Sequence, residues 1–181
     1  MRLNNSRGDN VEKGYIHIYT GNGKGKTTAS LGLSVRAALA GKKVFFGQFV
    51  KGMEYSELKI VDYLPNIEIH QFGRDCFIYN EPTEKDILAA KKGLEICKEV
   101  LKNGEYDLVV LDEINIALYY KLFSVEEVLE MIKERQPHVE VVLTGRYAPE
   151  EIVEIADLVT EMKEVKHYYT TGLMARKGIE F

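Results

Sequence analysis

The chain has few cysteines and no long apolar run, and each absence excludes a class of protein. Its two cysteines, Cys76 and Cys97, are far apart in sequence and form no CxxC pair, so neither a zinc site nor a disulfide framework is predicted. No apolar run approaches the roughly 18 residues that cross a bilayer. The polar beginning, MRLNNSRGDN, lacks the apolar core of a secretory signal. We therefore expect a cytoplasmic protein with no membrane partner.

An excess of positive charge is also absent. Lysine and arginine number 24 against 28 aspartates and glutamates, and this net charge of −4 argues against a nucleic-acid partner. No internal repeat, low-complexity tract or long linker interrupts the 181 residues. Residues 1–13 are polar and without period, which predicts a flexible N-terminal arm, and residues 14–181 are long enough to form one domain.

The stretch GNGKGKTT, residues 21–28, lies between a strand-like run at residues 15–20 and a helix-like run that begins at Lys26. Its glycines let backbone N–H groups turn inward, and the following helix directs its positive end at the same place. Lys26 supplies a cation, and Thr27 supplies a hydroxyl that ligates magnesium. A glycine-rich turn that only joins strand to helix would explain the glycines but not Lys26, Thr27 and Thr28. The pattern therefore predicts a phosphate-binding loop.

This loop differs from the common form G-x-x-x-x-G-K-[ST], because Thr20 occupies the position of the first glycine. Gly21, Gly23 and a second lysine, Lys24, follow it. We expect a different shape on the strand side and more positive charge toward the phosphates. Such a loop suits a polyphosphate that is held or released whole, and it argues against an ordinary ATPase.

Two acids, Asp112 and Glu113, end the apolar run YDLVVLDE at residues 106–113. A run of this kind is typical of a strand buried on both faces. Carboxylates at its end are the usual partners of the Thr27 hydroxyl in binding Mg²⁺. Two other roles for Glu113 stay open, namely a base that activates water and a cap of a following helix.

Strand-like and helix-like patterns alternate along the rest of the chain. Further strands are predicted at residues 44–50, 67–72, 139–144 and 156–162, and helices at 55–63, from Thr83, from Ser124 and after residue 148. In the first helix, Leu31, Val35 and Leu39 are expected to form the buried stripe. The predicted fold class is α/β, a single-domain P-loop (RecA-like) fold with an open, mostly parallel sheet and helices on both faces.

The later arginines and the aromatic residues Phe77 and Tyr79 add little to the choice between possible reactions. Arg135, Arg146 and Arg176 do not cluster in sequence, which argues against the arginine-rich lid of a nucleoside kinase. Phe77 and Tyr79 lie in a stretch without period, and by residue type alone they are more typical of a core than of a ligand site.

Taken together, the sequence blocks resemble the P-loop type of corrinoid adenosyltransferase over nearly everything after Lys13. The blocks are TGNGKGKTT (20–28), Arg36, QFVKG (48–52), VVLDE (109–113), LTGRYAP (143–149), ADLVTEM (156–162), VKH (165–167) and GIEF (178–181). Threonine in the first-glycine position is itself typical of that family. The resemblance implies transfer of the 5′-deoxyadenosyl group of ATP to cobalt(I) of a reduced corrinoid such as cobalamin, with release of triphosphate. It also implies that ATP lies reversed relative to ordinary P-loop enzymes.

The resemblance also assigns roles to residues. It implies Mg²⁺, with Mn²⁺ as an alternative, bound by Thr27 and Glu113 with Asp112 in support, and catalysis by Lys24, Lys26 and Glu113. The implied ATP-binding residues are Asn22, Gly23, Lys24, Gly25, Lys26, Thr27, Thr28 and Arg36. Phe77 and Tyr79 would contact the corrinoid, although Tyr79 stands where the family has tryptophan and Cys76 where glycine is common.

The implied partners are a flavoprotein electron donor and a second copy of the chain in a homodimer. Two other functions stay open. A nucleoside kinase or ATPase on the same core is supported by Lys26, Thr27 and Asp112, and it would release ADP or phosphate rather than triphosphate. A nucleotide-gated module would bind ATP and corrinoid without turnover.

Overall fold

The computed structural model describes residues 13–74 and 81–181 and is built around one sheet of six parallel strands. The strands are β1 (Ile16–Thr20), β2 (Val44–Phe49), β3 (Ile67–Phe72), β4 (Leu108–Asp112), β5 (Glu140–Thr144) and β6 (Leu158–Glu161). Their order is β3-β2-β4-β5-β1-β6, so β5 lies between the strand before the phosphate loop and the strand that ends at Asp112. The prediction of an open, mostly parallel sheet is confirmed.

Helices cover both faces of this sheet. They are α1 (Lys26–Leu39), α2 (Glu84–Asn103), α3 (Ile114–Tyr119), α4 (Val125–Lys133) and α5 (Glu150–Glu154), with 3-10 helices at Ser56–Asp62 and Tyr168–Thr171. One apolar cluster joins α1 to Val44, Phe46 and Val110, and a larger one lies on the other face, among α2, α3 and α4. The predicted α/β arrangement is therefore confirmed.

Burial follows strand position. All residues of β2 and β4 are buried, because central parallel strands are covered on both faces, as the apolar run of β4 predicted. All four residues of the edge strand β6 are exposed. Because the strands are parallel, the carboxyl ends of β1 and β4, which carry the loop and the acids, lie at the same edge of the sheet.

Local signals placed several helix ends correctly. Thr83 and Asp86 form the capping box of α2, and Ser124 and Glu127 form that of α4. Gly104 follows α2 with a φ of 67°, the left-handed conformation that glycine adopts without strain.

The predicted buried stripe of α1 is wrong. Leu39 is 72% exposed, whereas Ser30 and Ser34 are completely buried and Ala38 is nearly so. Their small side chains let the helix pack close to the sheet, and the Ser30 and Ser34 hydroxyls donate to the carbonyls of Thr27 and Ser30. Gly32, another small residue of this helix, is exposed.

Three sequence predictions concern residues that the structure does not describe. They are the flexible arm, for residues 1–12, the unpaired thiol of Cys76, and the corrinoid contacts of Phe77 and Tyr79. The boundary between arm and domain stays a prediction. In the described part of the chain, no helix has the length and apolar character that crossing a bilayer requires.

Candidate nucleotide and metal site

The phosphate loop follows β1 and needs glycine at several positions. Gly21 and Gly25 have φ values of 93° and 120°. The Gly23 N–H donates to the Met162 carbonyl at 2.6 Å. A Cβ on Gly21 or Gly23 would lie 2.5 or 2.7 Å from that same oxygen, closer than any real contact. The unusual glycines of this loop therefore accommodate the chain that leaves β6.

Lys26 is buried inside the loop. Its Nζ donates to the carbonyl oxygens of Gly21 at 2.9 Å and Gly23 at 2.8 Å. Burial lowers the pKa of the Lys26 ammonium and Arg146 adds to that effect, while the charge of Glu113 opposes it. Because these carbonyl oxygens carry no net charge, anionic phosphate oxygens would attract the Lys26 ammonium more strongly than they do.

Asp112 joins three elements at the carboxyl edge of the sheet. Its fully buried carboxylate accepts from Thr27 Oγ1 at 2.9 Å and Thr144 Oγ1 at 2.7 Å. Lys51 Nζ donates to the other oxygen at 2.7 Å. These contacts compensate the cost of burying a carboxylate and fix the Thr27 hydroxyl. The acid predicted to play only a supporting role is thus the one that contacts Thr27.

Lys51 is a candidate functional residue that the sequence analysis covered only as part of the block QFVKG and did not single out. Burial by itself lowers the pKa of Lys51, but the charge and hydrogen bond of Asp112, with the charge of Glu113, outweigh it, so the pKa is raised. Its ammonium also lies 3.4 Å from Thr27 Oγ1. The sequence signal for Lys51 was its position in QFVKG, at the end of β2. Because β2 pairs with β4, that end of β2 lies beside Asp112.

Glu113 occupies the N-cap position of α3 with a φ of 60°, but its side chain makes no capping hydrogen bond. Its N–H donates to Thr144 Oγ1 at 2.9 Å, which fixes the backbone. Burial and the charge of Asp112 raise the pKa of the Glu113 carboxyl, against the lowering effect of Lys51, Lys26 and Arg146. Glu113 therefore caps α3 through its backbone and keeps its carboxylate for the cleft.

The oxygen groups at this edge suit magnesium. Mg²⁺ is typically bound by one or two carboxylates and completed by water and substrate phosphates. Asp112, Glu113 and Thr27 supply such a set, and a cation would offset the burial and the charge of Asp112 that together raise the pKa of Glu113. No group of three or more His, Cys, Asp and Glu side chains forms a metal site within residues 13–74 and 81–181. These residues therefore fit a metal ion whose remaining ligands come from the phosphates of a bound nucleotide and from water.

Lys24 lies apart from Lys26. Its Nζ donates to Glu180 Oε1 at 2.6 Å, to the Tyr168 hydroxyl at 2.9 Å and to the Ile179 carbonyl at 3.0 Å. The hydrogen bonds to Glu180 and Tyr168 raise the pKa of Lys24. The second lysine of the loop therefore contacts residues near the end of the chain, and its contact with phosphate stays a prediction.

Two later arginines lie closer to the loop than the sequence suggested. Arg146 donates to the Asn22 carbonyl at 3.3 Å, and Arg176 pairs with Glu180, the partner of Lys24. The arginines do not cluster in sequence, but β5 lies beside β1, so Arg146, just after β5, lies at the loop that follows β1.

A cleft of about 720 Å³ opens beside these groups. Its walls include Thr27, Thr28, Lys51, Tyr55, Glu57, Glu113 and residues 178–181. The hydroxyls of the loop, an acid and a buried cation thus face one space. The structure places Thr27, Thr28 and Glu113 at this cleft, with Asp112 bound to Thr27 behind it, and their roles stay predictions.

Comparison with known proteins identifies the family. A family model described as ATP:corrinoid adenosyltransferase BtuR/CobO/CobP matches residues 12–181. The chain belongs to the corrinoid adenosyltransferase family. A corrinoid adenosyltransferase of Sinorhizobium sp is 39% identical, over 94% of this chain and 81% of the relative. Those of Escherichia coli K12 and Salmonella typhimurium LT2, the second named CobA, are each 34% identical over 94% of this chain and 87% of their own length.

Three site residues implied by the family resemblance are not found at this cleft: one lies far from it, and two are not among the residues that the structure describes. Arg36 is ten residues after Lys26 on α1, about 15 Å along the helix. It lines a separate cleft of about 350 Å³ at the amino ends of β4 and β5. Phe77 and Tyr79 lie outside the described residues. The structure thus does not bring Arg36 to the loop, and the corrinoid contacts stay predictions.

Proposed function

We propose that this chain transfers the 5′-deoxyadenosyl group of ATP to cobalt(I) of a reduced corrinoid and releases triphosphate. The observation that carries this proposal is the shared cleft of Thr27, Thr28 and Glu113, beside Lys26 and Asp112, in a member of the corrinoid adenosyltransferase family. Both substrates then meet at the carboxyl edge of the sheet, where α/β proteins bind their ligands.

The reaction would break the bond between C5′ and its oxygen and form a cobalt–carbon bond. The electron pair comes from cobalt(I), and the negative charge grows on the triphosphate that leaves. Stabilising that charge is therefore the main task of the site. Lys26, the loop N–H groups and the positive end of α1 would perform it, and the position of Lys26 inside the loop supports this.

Magnesium belongs to this proposal, held by Asp112, Glu113 and Thr27 together with phosphate oxygens. When bound, it would add positive charge beside the leaving group. The contribution of the chain is to fix the ligands, because Asp112 is held by Thr144 and Lys51 as well as by Thr27. Rigid ligands lower the cost of reorganisation during the reaction.

The partners and the location also belong to this proposal. We infer a homodimer and a flavoprotein electron donor from the family, and contact of the corrinoid with Phe77 and Tyr79. A cytoplasmic location is supported by the free, buried thiol of Cys97, since reduced cysteines are typical of that compartment.

The direct test is a product assay. The protein is incubated with ATP, Mg²⁺ and chemically reduced cobalamin, and we expect a light-sensitive adenosylated corrinoid together with triphosphate in equal amounts. ADP and phosphate as the products would contradict the proposal. They would instead support a nucleoside kinase or ATPase, the alternative favoured by Arg146 and Arg176 near the loop.

Lys26→Ala tests the stabilising role of the buried ammonium. We expect kcat to fall on the order of 100-fold or more, because a donor to the developing charge is lost. Lys91→Ala, an exposed position on α2, is the matched control and should keep wild-type turnover. Near-normal turnover of Lys26→Ala would contradict the role of Lys26.

A further inference from the structure

The segment of residues 164–181 forms part of the cleft wall but is only loosely attached to the described chain. Most of its side chains are exposed, including Tyr169 at 68% and Met174 at 71%. Lys24 and Ser56 donate the hydrogen bonds that join residues 168–181 to the rest of the described chain. Three of these four bonds come from Lys24. The attachment of segment 164–181 therefore depends on a lysine of the phosphate loop.

Glu180 is the centre of that attachment. Its carboxylate accepts from Lys24 Nζ at 2.6 Å, from the Arg176 N–H at 2.8 Å and from the Tyr168 hydroxyl. The Lys24 and Arg176 cations both lie over the Tyr168 ring, at 5.7 and 5.1 Å. The hydrogen bonds of Arg176, Lys24 and Tyr168 strongly lower the pKa of Glu180, so it is ionised at neutral pH.

Glu180 also lines the same cleft as Thr27 and Thr28. A carboxylate bound to a loop lysine resembles a phosphate oxygen in charge and in its hydrogen bonds. Lys24 cannot give its full charge to both anions, so a phosphate that attracts it must weaken the bond to Glu180.

We propose that Glu180 is a positioning residue that competes with the triphosphate group for Lys24, so that triphosphate binding and docking of segment 164–181 oppose each other. This inference rests on the proposed function, which places triphosphate at the loop. In turnover, Glu180 would form its ion pair with Lys24 again after the adenosyl transfer and so help the triphosphate to leave. Because binding couplings are reciprocal, triphosphate must loosen the segment by the same factor by which the segment weakens triphosphate.

The first experiment measures binding of inorganic triphosphate by calorimetry, without Mg²⁺ or corrinoid. We expect Glu180→Gln to bind triphosphate roughly two- to fivefold more tightly than wild type, the factor that a solvent-screened ion pair supplies. Glu164→Gln removes one charge from an exposed position of the same segment and should bind as wild type does. Glu180→Asp keeps the charge and should stay near the wild-type value.

The second step repeats the substitution in a Lys24→Gln background. If the effect of Glu180 passes through Lys24, Glu180→Gln should no longer change the affinity there. An unchanged or weaker affinity of the single Glu180→Gln variant would overturn the inference. Triphosphate that fails to bind wild-type protein would overturn the proposed phosphate site as well, so the two failures are distinguishable.

Limited trypsin digestion gives an independent readout, because Arg176 and Lys177 lie within the segment. We expect triphosphate to accelerate cleavage there in wild type, whereas KCl of equal ionic strength, which controls for simple screening, accelerates it less. Protection by triphosphate would mean that the ligand clamps the segment, and would overturn the proposed competition.

Discussion

Asp112 shows at the scale of single residues how this protein holds a charge without exposing it. The carboxylate is completely buried, yet Thr27, Thr144 and Lys51 all donate to it. A buried ion pair costs solvation on both sides, so its net contribution is small while the loss of one partner is expensive. The site is therefore sensitive to any change that leaves Asp112 unpaired.

Lys51→Met tests this dependence. We expect the free energy of unfolding to fall by about 3 kcal/mol without metal, because the buried carboxylate loses its counter-cation. Adding Mg²⁺ should raise the melting temperature of this variant more than that of wild type, since the metal can replace the missing charge. Thermal unfolding with and without Mg²⁺ measures both effects. Equal Mg²⁺ shifts in the two proteins would contradict the pairing role, and Lys91→Met is the matched control.

The residues found from sequence and those missed differ in the range of their contacts. The loop and Asp112 with Glu113 were predictable, because adjacent residues form each motif. Lys51 contacts a carboxylate 61 positions away, and Lys24 contacts one 156 positions away. The local pattern shows that Lys51 follows a strand but not which carboxylate it contacts, because that depends on β2 and β4 being neighbours in the sheet. The partner of Lys24 depends on the path of the chain after β6.

At the scale of elements, α1 shows how tertiary packing overrides hydrophobic pattern. Its buried stripe consists of Lys26, Ser30, Ser34 and Ala38, and these residues are not the most apolar ones of the helix. A helix that begins at the phosphate loop must bury the face that carries Lys26, and successive turns then place small residues against the sheet. Leu39 falls outside that face. The capping boxes of α2 and α4 were predictable because they depend on side chains three positions apart.

Ser34→Leu and Leu39→Gln distinguish the two faces of α1. We expect Ser34→Leu to lower the free energy of unfolding by about 1–3 kcal/mol, because a larger side chain overpacks a fully buried position. Leu39→Gln should change it by less than about 0.5 kcal/mol, as is usual at the surface. Urea denaturation of both variants measures these changes. A larger loss in Leu39→Gln than in Ser34→Leu would support the buried stripe predicted from sequence.

Tyr106, just before β4, and Glu68, on β3, connect strands on either side of β2. The Tyr106 hydroxyl donates to Glu68, and its ring lies 5.4 Å from that of Phe45 between them. The hydrogen bonds that Tyr106 and His70 make with Glu68 lower the pKa of Glu68. Burial, and next the hydrogen bond to Glu68, raise the pKa of Tyr106 to about 12. The pair therefore joins the two strands in a pH-dependent way.

Tyr106→Phe should lower the free energy of unfolding by about 1 kcal/mol at neutral pH, a value reduced for solvent screening of this exposed pair. Because the pKa of Glu68 is lower in the folded state, its contribution is present above the unfolded value of about 4.3 and is lost as the pH falls through the folded value. The difference between variant and wild type should therefore shrink in acid. Urea denaturation at several pH values measures it, and a difference independent of pH would contradict the assignment. Tyr63→Phe, at a position 81% exposed, is the control.

At the scale of the whole molecule, the phosphate loop is a junction of distant parts of the sheet. It joins β1 to α1, contacts the end of β4 through Thr27 and Asp112, and holds the chain after β6 through Gly23 and Met162. A ligand bound at this loop is thus connected to the centre and to one edge of the sheet. We expect ligand binding to stabilise the entire fold rather than one element.

The predicted consequence is a large thermal shift with ATP and Mg²⁺. At a concentration 100-fold above Kd, binding adds about 2.7 kcal/mol, which for a chain of this size corresponds to an increase in Tm of about 5–10 °C. Inorganic triphosphate should give part of this shift, because the proposal places the phosphates of ATP at the loop. Lys26→Ala should lose most of it and Lys91→Ala should keep it, as differential scanning calorimetry can measure. A full shift in Lys26→Ala would mean that the nucleotide binds elsewhere, and adenosine that stabilised as well as triphosphate would place the binding energy on the nucleoside instead.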